Sequence, residues 1–443
     1  MTQSSAGVRL RGHAGVVAAG AAIVVVGMVF SLTWGPVVRH LSTWVTPADL
    51  WGTVREAHVV AWGGEGILYQ ARATGFITLP GIAVLLAPVS MVSSALHLTE
   101  SYPLMLNHPT AWLLFGPIEM ALGSAVLFPF DTLARRLGVT RGRRVLLMWV
   151  EAAIVWPAVV LWGHPEDLVA LTFALYGLMD AFDGRWTRSA ALFAVAVAFQ
   201  PLTLLVLPLA FAYVPARVWL RSAAIVALPS ALLLIAPLVH AWATTTYALV
   251  DQPTYPTLLH ATPWLALSPI LQHASTSGAV SLEHTVAGGT VATMARPALE
   301  TVAGGPSRLL AVAASIGIAV YVGRRRPTEL TVVWLAALAF STWCVFEAVL
   351  LPYYLVPGLA LSLLAAAVGG GPRLLVAVGC AAVCTYCSYL YLGPWAYYLC
   401  VVGLLLATWC SGWPGAPRLA PARVPRVGTE RETAACLVPS AGR

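Results

Sequence analysis

Two short polar segments interrupt a very apolar chain, and both carry groups that can hold or move a proton. The first is WVTPADLWGTVREAHVVAWG at residues 44–63, and the second is LWGHPEDLVAL at residues 161–171. Their ionisable residues are Asp49, Arg55, Glu56, His58, His164, Glu166 and Asp167. A carboxylate can act as a general base, and an arginine or histidine can stabilise a leaving anion. In the second segment, three ionisable groups within four residues are costly to desolvate at a membrane boundary, so they favour a polar cavity there.

Each segment also has a structural interpretation. Thr46, Pro47 and Asp49 have the form of a helix start, with a threonine cap, an early proline and an acid bonding back to the cap. Asp49 therefore stays open between capping and chemistry. Glu56 and Glu65 stay open between solvated loop charges and a catalytic role. The acids of the second segment suit the first turn of a helix that begins with proline.

Other polar groups lie at breaks in apolar runs. Gln200 precedes Pro201, and Glu347 lies inside an apolar segment that continues into YYLVPGLAL. Gln200 is open between contact with a ligand and hydrogen bonding between helices. Glu347 is open between a functional role and pairing with an arginine. The further residues considered for substrate binding are Tyr69, Arg72, His260, Trp264, Tyr353 and Tyr354. An alternative interpretation of His260 is a solvated histidine in a loop. No metal site is predicted.

The composition places these groups in a membrane protein. Of 443 residues 59% are hydrophobic and 10% are charged, and the mean hydropathy is +0.80. All basic residues are arginine, and they concentrate in short loops and the tail, where they set orientation rather than bind nucleic acid. The prediction is an all-α polytopic bundle of about 10 to 13 transmembrane helices in the plasma membrane.

Arginine positions predict how this bundle is organised. Residues 1–13 and a disordered tail at 413–443 are expected in the cytoplasm, and residues 14–412 form the bundle. Two extracytoplasmic regions are expected at residues 35–74 and 246–307. An amphipathic helix is expected with Thr46 as its cap and Pro47 as its first residue, lying in the interface with its tryptophans at headgroup depth. Residues 188–214, broken at FQPL, predict two half-length helices that enter and return on the cytoplasmic side.

Three landmarks together resemble the GT-C superfamily of polytopic glycosyltransferases, and within it the actinobacterial mannosyltransferases that use polyprenyl-phosphate sugars. They are an early outer acid, Asp49, followed by GILYQ and GFITLPGIAVLLAP; then GHPEDLVAL followed by AVAFQPLTLLVLPLAF; and finally YYLVPGLAL. Two departures are Trp51, where many members carry a second acid, and the charged motif at Gly163, where related families show uncharged amides.

The resemblance implies transfer of a sugar, with mannose first among the expectations, to an envelope lipid or glycan on the outer face. Asp49 would be the general base, with Arg55, Arg72 and His164 near the leaving phosphate. Trp51, Trp62 and Trp264 would stack on sugars or anchor the interface. No cofactor is predicted, and a divalent metal requirement and the oligomeric state are left open. The alternatives are a secondary transporter and a non-catalytic membrane subunit.

Overall fold

The computed structural model describes residues 13–34, 43–70, 76–101, 106–254, 260–273, 300–305, 307–390 and 393–415. Within these ranges the chain is almost entirely helical, as the apolar runs predicted. Most of the predicted tail, residues 416–443, the N-terminal residues 1–12 and much of the loop at 246–307 lie outside them. Arg72 and residues 35–42 also lie outside.

The principal helices follow one another along the chain. They are α1 (Ala14–Thr33), α2 (Ala48–Ala61), α3 (Gly81–Ala95), α4 (Trp112–Ser124), α5 (Leu127–Arg136), α6 (Arg141–Pro157), α7 (Pro165–Phe182), α8 (Trp186–Phe199), α9 (Leu207–Phe211), α10 (Ala216–His240), α11 (Trp242–Thr246), α12 (Ser307–Arg325), α13 (Glu329–Phe346), α14 (Leu355–Gly369), α15 (Gly371–Cys387) and α16 (Pro394–Ser411). A short antiparallel pair, β1 (Ile270–His273) and β2 (Glu300–Val302), interrupts them.

Eight helical segments in the described chain are long and apolar enough to cross a membrane. The segments are Ala14–Thr33, Trp112–Arg136, Arg141–Trp162, Ala216–His240, Ser307–Arg325, Glu329–Phe346, Pro352–Gly369 and Pro394–Ser411. Three more apolar helices, α3, α8 and α15, are shorter. This supports a membrane-embedded all-α bundle, because helices satisfy every backbone polar group internally.

Arginine–carboxylate pairs mark one end of the bundle, which we call the arginine end. Arg136 donates from Nε and Nη2 to Glu329 at 2.6 and 2.7 Å and from Nη1 to Asp183 at 2.8 Å. Arg144 donates to Asp131 at 2.8 Å. These bonds join the ends of α5, α6, α7 and α13, so ion pairs connect the helices at this end.

The opposite end, which we call the site end, holds the C-terminus of α1. There Trp112 donates from Nε1 to Ser31 at 2.7 Å, so α4 starts beside the end of α1. The intervening helices α2 and α3 therefore both stay at the site end, packed on each other, and only α4 with α5 crosses.

The segment broken at Gln200 is a helical hairpin. α8 runs from the arginine end toward the site end, a turn at Pro201–Leu205 follows, and α9 leads back. Proline at residue 201 ends the helix because it cannot continue the hydrogen-bond ladder. The break lies where FQPL predicted it, and it places Gln200 at the tip, beside the start of α7.

The region at residues 246–307 is anchored to the bundle by backbone hydrogen bonds. Thr262 donates its backbone N–H to Ala348 at 3.0 Å, and Leu350 donates to His260 at 2.9 Å. These bonds hold residues 260–262 against the connection between α13 and α14, next to the site end.

Candidate functional site

Asp49 is positioned by the way α2 begins. The predicted threonine cap is wrong: α2 starts at Ala48 after Pro47, and no side chain caps it. The hydroxyl of Thr46 instead accepts a bond from the indole of Trp51 at 3.1 Å. The Asp49 side chain therefore does not bond back to the start of the helix. It is 49% exposed.

Gly163 allows α2 to approach the second polar segment. Its φ is +71°, a left-handed conformation that favours glycine. A Cβ there would lie 2.8 Å from the Cβ atoms of both Pro47 and Leu50. Glycine therefore permits both the turn between α6 and α7 and the close packing of the α2 start.

His164 joins the two polar segments. Its Nε2 lies 3.1 Å from Oδ2 of Asp49, and its Nδ1 lies 2.7 Å from Oε1 of Glu166. The Asp49 and His164 side chains are 115 positions apart in sequence, yet they meet at the mouth of the site end. Asp49, His164 and Glu166 thus form a carboxylate–imidazole–carboxylate chain that runs from the surface inward. Glu166 is buried.

The charge on His164 is set by opposing effects. Burial alone would lower its pKa, but Glu166 and the hydrogen bond to Asp49 raise the pKa well above its ordinary value. The imidazole is therefore a cation at neutral pH and donates to both carboxylates. This fixes the orientation of Asp49 while leaving part of its carboxylate accessible.

A second carboxylate, Asp167, lies beside this chain. It accepts a hydrogen bond from the amide of Gln200, so the hairpin tip reaches the cluster. Among the described residues, the second oxygens of Glu166 and Asp167 have no hydrogen-bond partner although both are buried. Possible ligand atoms of His164, Glu166 and Asp167 lie within 4.8 Å of one another, a spacing that a divalent cation can bridge only when His164 has lost a proton.

Aromatic rings form a wall next to the cluster. The Tyr353 ring stacks on His164 with ring centroids 3.8 Å apart, and Trp162 meets Tyr353 edge to face at 5.9 Å. Trp162 donates its indole N–H to Tyr389 at 3.1 Å, and His260 lies 5.3 Å from Trp162. Aromatic faces beside polar groups are suited to holding a sugar ring or a planar part of a ligand.

His260 is buried in this wall rather than solvated, which corrects the loop interpretation. Burial lowers its pKa to about 4, so it is neutral. Tyr354 packs on Tyr353, and Trp264 lies nearby with its indole donating to Tyr398 at 3.2 Å. Trp264 therefore holds the outer segment to α16.

Several predicted residues have structural roles. The hydroxyl of Tyr69 donates to the carbonyl of Thr78 at 2.7 Å, which secures the chain before α3. Trp51 is buried within the protein and so does not face lipid, whereas Trp62 is largely exposed. Glu56 is also buried, because the face of α2 that carries it packs on the protein; it is not a solvated loop charge. Arg55 is half-buried on the same helix.

Glu347 has the arginine partner that one interpretation expected. Arg308 donates from Nη2 and Nε to its two oxygens at 3.1 and 3.2 Å and also to Gln252, and its guanidinium lies over Trp343. This cluster ties α12 to α13. Glu347 is therefore a paired carboxylate and not an isolated one.

Sequence reasoning missed Glu119 on α4. It is 1% exposed, neither oxygen has a hydrogen-bond partner in the described chain, and it lies within electrostatic range of Glu166 and His164. Its signal was present, since Glu119 interrupts the apolar run WLLFGPIEMALGS. Tyr389 gave no signal, because its partner Trp162 is far away in sequence.

Comparison of the chain with protein-family models, with curated proteins and with solved structures gave no match in any of the three.

Proposed function

We propose that this protein is an integral membrane glycosyltransferase that moves a sugar, mannose being the first to test, from a polyprenyl phosphate to a hydroxyl of an envelope lipid or glycan. The observation that carries the proposal is the half-exposed Asp49 at 3.1 Å from His164, itself held by Glu166. Asp49 is the general base. The arginine end lies opposite, and the positive-inside rule then puts the site on the outer face.

The chemistry uses the groups at the mouth of the cluster. The acceptor oxygen bonds to the anomeric carbon, its proton passes to Asp49, and the lipid phosphate leaves with the bonding electrons of the broken C–O bond. The His164 cation orients Asp49 and lowers the energy of negative charge that develops nearby. Tyr353 and Trp162 give the sugar a flat apolar surface.

Transfer from radiolabelled polyprenyl-phosphate mannose to membrane glycolipids in reconstituted vesicles tests the assignment. Asp49→Asn removes the base and is expected to lower kcat/KM by about 10²- to 10⁴-fold. The matched control is Glu65→Gln, because Glu65 is an exposed acid of the same outer segment. Transfer that survives Asp49→Asn refutes the base, and no transfer from any lipid-linked sugar favours a non-catalytic subunit.

A secondary transporter is the second candidate. Glu119 and Glu151 favour it, since both are buried inside apolar helices, and in the described chain neither has a hydrogen-bond partner. Glu347, which the sequence offered for such a role, is paired with Arg308. Substrate-dependent flux across liposomes without a covalent product would support transport over transfer.

A further inference from the structure

A cavity opens at the arginine end, on the opposite side of the bundle from Asp49. It lies between the start of α8 and the first turns of α10 and has a volume of about 380 Å³. Its polar lining includes Arg185, Arg188 and Arg221, together with Thr187 and Ser222. The cavity is separate from the residues assigned to transfer.

The charge of this cavity is positive. Arg185 bonds to Asp180 and Asp183, and Arg188 lies 2.9 Å from Asp180. Asp183 is also shared with Arg136. Arg221 makes no ion pair in the part of the chain that the structure describes, so the two aspartates leave the three arginines with a net positive charge. An anion is the ligand that this lining favours.

The surroundings of the cavity identify the source of the anion. α10 faces outward along most of its length, with Leu220 85% exposed and Trp219, Leu228 and Leu232 more than half exposed. An apolar helix exposed in this way contacts acyl chains in a membrane. A ligand with a phosphate in the cavity and hydrocarbon along α10 satisfies both surfaces.

We propose that this cavity binds the phosphate of an anionic phospholipid headgroup, with its acyl chains lying along α10. Guanidinium groups bind phosphate oxygens through paired N–H donors, and basic pockets between helices at the membrane surface are suited to such headgroups. Trp186 also lines the cavity, and an amphipathic indole is stable beside lipid headgroups. Zwitterionic lipids bind more weakly because their added cation opposes the arginines.

The full chain in detergent, titrated with phosphatidylglycerol or phosphatidylcholine and examined by native mass spectrometry, tests this site. Phosphatidylglycerol is expected to remain bound in preference to phosphatidylcholine. Arg221→Gln is expected to weaken phosphatidylglycerol binding about fivefold, the effect of one arginine near a headgroup. Arg221 is exposed and makes no ion pair among the described residues, so this variant is expected to fold.

Arg325→Gln is the matched control, because it removes one exposed arginine from the arginine end but does not line the cavity. It should leave binding within twofold of wild type. An equal loss in both variants would overturn the site in favour of general surface charge. Inorganic phosphate that displaces the lipid at equal concentration would overturn the lipid assignment, and so would equal retention of the two lipids.

Discussion

Asp131 and Glu119 lie on one continuous helical segment, about three turns apart, in opposite environments. At the arginine end, buried Asp131 accepts hydrogen bonds from Arg135 and Arg144, each at 2.8 Å. Toward the site end, Glu119 is buried as deeply without a hydrogen-bond partner among the described residues. The first arrangement stabilises the bundle, because each charge is compensated. The second costs stability, which is typical of a functional site.

This contrast extends to the neighbouring acids. The pKa of Asp183 at the arginine end is subject to opposing effects. Burial raises this pKa, but Arg136 and Arg185 lower it, and the net result is a lowered pKa. At the site end, the three carboxylates of Asp49, Glu166 and Asp167 cluster around His164. Excess negative charge at the site end is therefore the feature that its function must explain.

The largest expected effect comes from removing Asp131. Asp131→Leu leaves Arg144 without its carboxylate in a mostly buried place, so the free energy of unfolding should fall by about 3–5 kcal/mol. Glu119→Gln, on the same segment, should change it by less than about 1 kcal/mol or raise it, because no partner is lost. Denaturant or thermal unfolding of both variants in detergent measures the difference. Equal losses would contradict the contrast between the two ends.

Two glycines with left-handed φ give the next largest effect. Gly163→Ala adds a Cβ that meets Pro47 and Leu50, so strain and clash together should cost about 2–4 kcal/mol. Transfer activity should fall with it, because the α2 start must move away from His164. Gly184→Ala, with φ +74° and no atom nearer than 3.5 Å, should cost only the backbone strain of about 1–2 kcal/mol.

Unfolding midpoints and transfer rates of the two alanine variants should therefore diverge. A Gly163→Ala protein with full activity would show that the contact between α2 and the α6–α7 turn does not position Asp49.

Much of this arrangement could be read from local sequence. The membrane bundle follows from composition, and the hairpin break follows from Pro201, because each depends on residues close together in the chain. The start of α2 was misplaced by one residue, since Thr46, Pro47 and Asp49 satisfy the local cap pattern while packing on Gly163 decides the outcome.

Long-range partners are what the sequence could not provide. Only the resemblance to a family placed Asp49 and His164 in one site, and the structure brings the two side chains together. Arg308 was not identified as the partner of Glu347, because nothing local specifies which arginine reaches it. Glu56 was expected to be solvated or functional, but it is buried because α2 is covered on more faces than its periodicity showed.

The smallest expected effect is the pH dependence of the site end. The pKa of His164 is raised in the folded protein above the unfolded value of about 6.5. Its contribution to stability is therefore fully present below about pH 6.5 and is lost as pH rises through the folded pKa. Unfolding midpoints of wild type and His164→Gln, compared from pH 6 to pH 9, should differ most at the acid end and converge as pH rises. A difference that grows with pH would show that the imidazole is neutral between Asp49 and Glu166, and the proposed orienting cation would then be wrong.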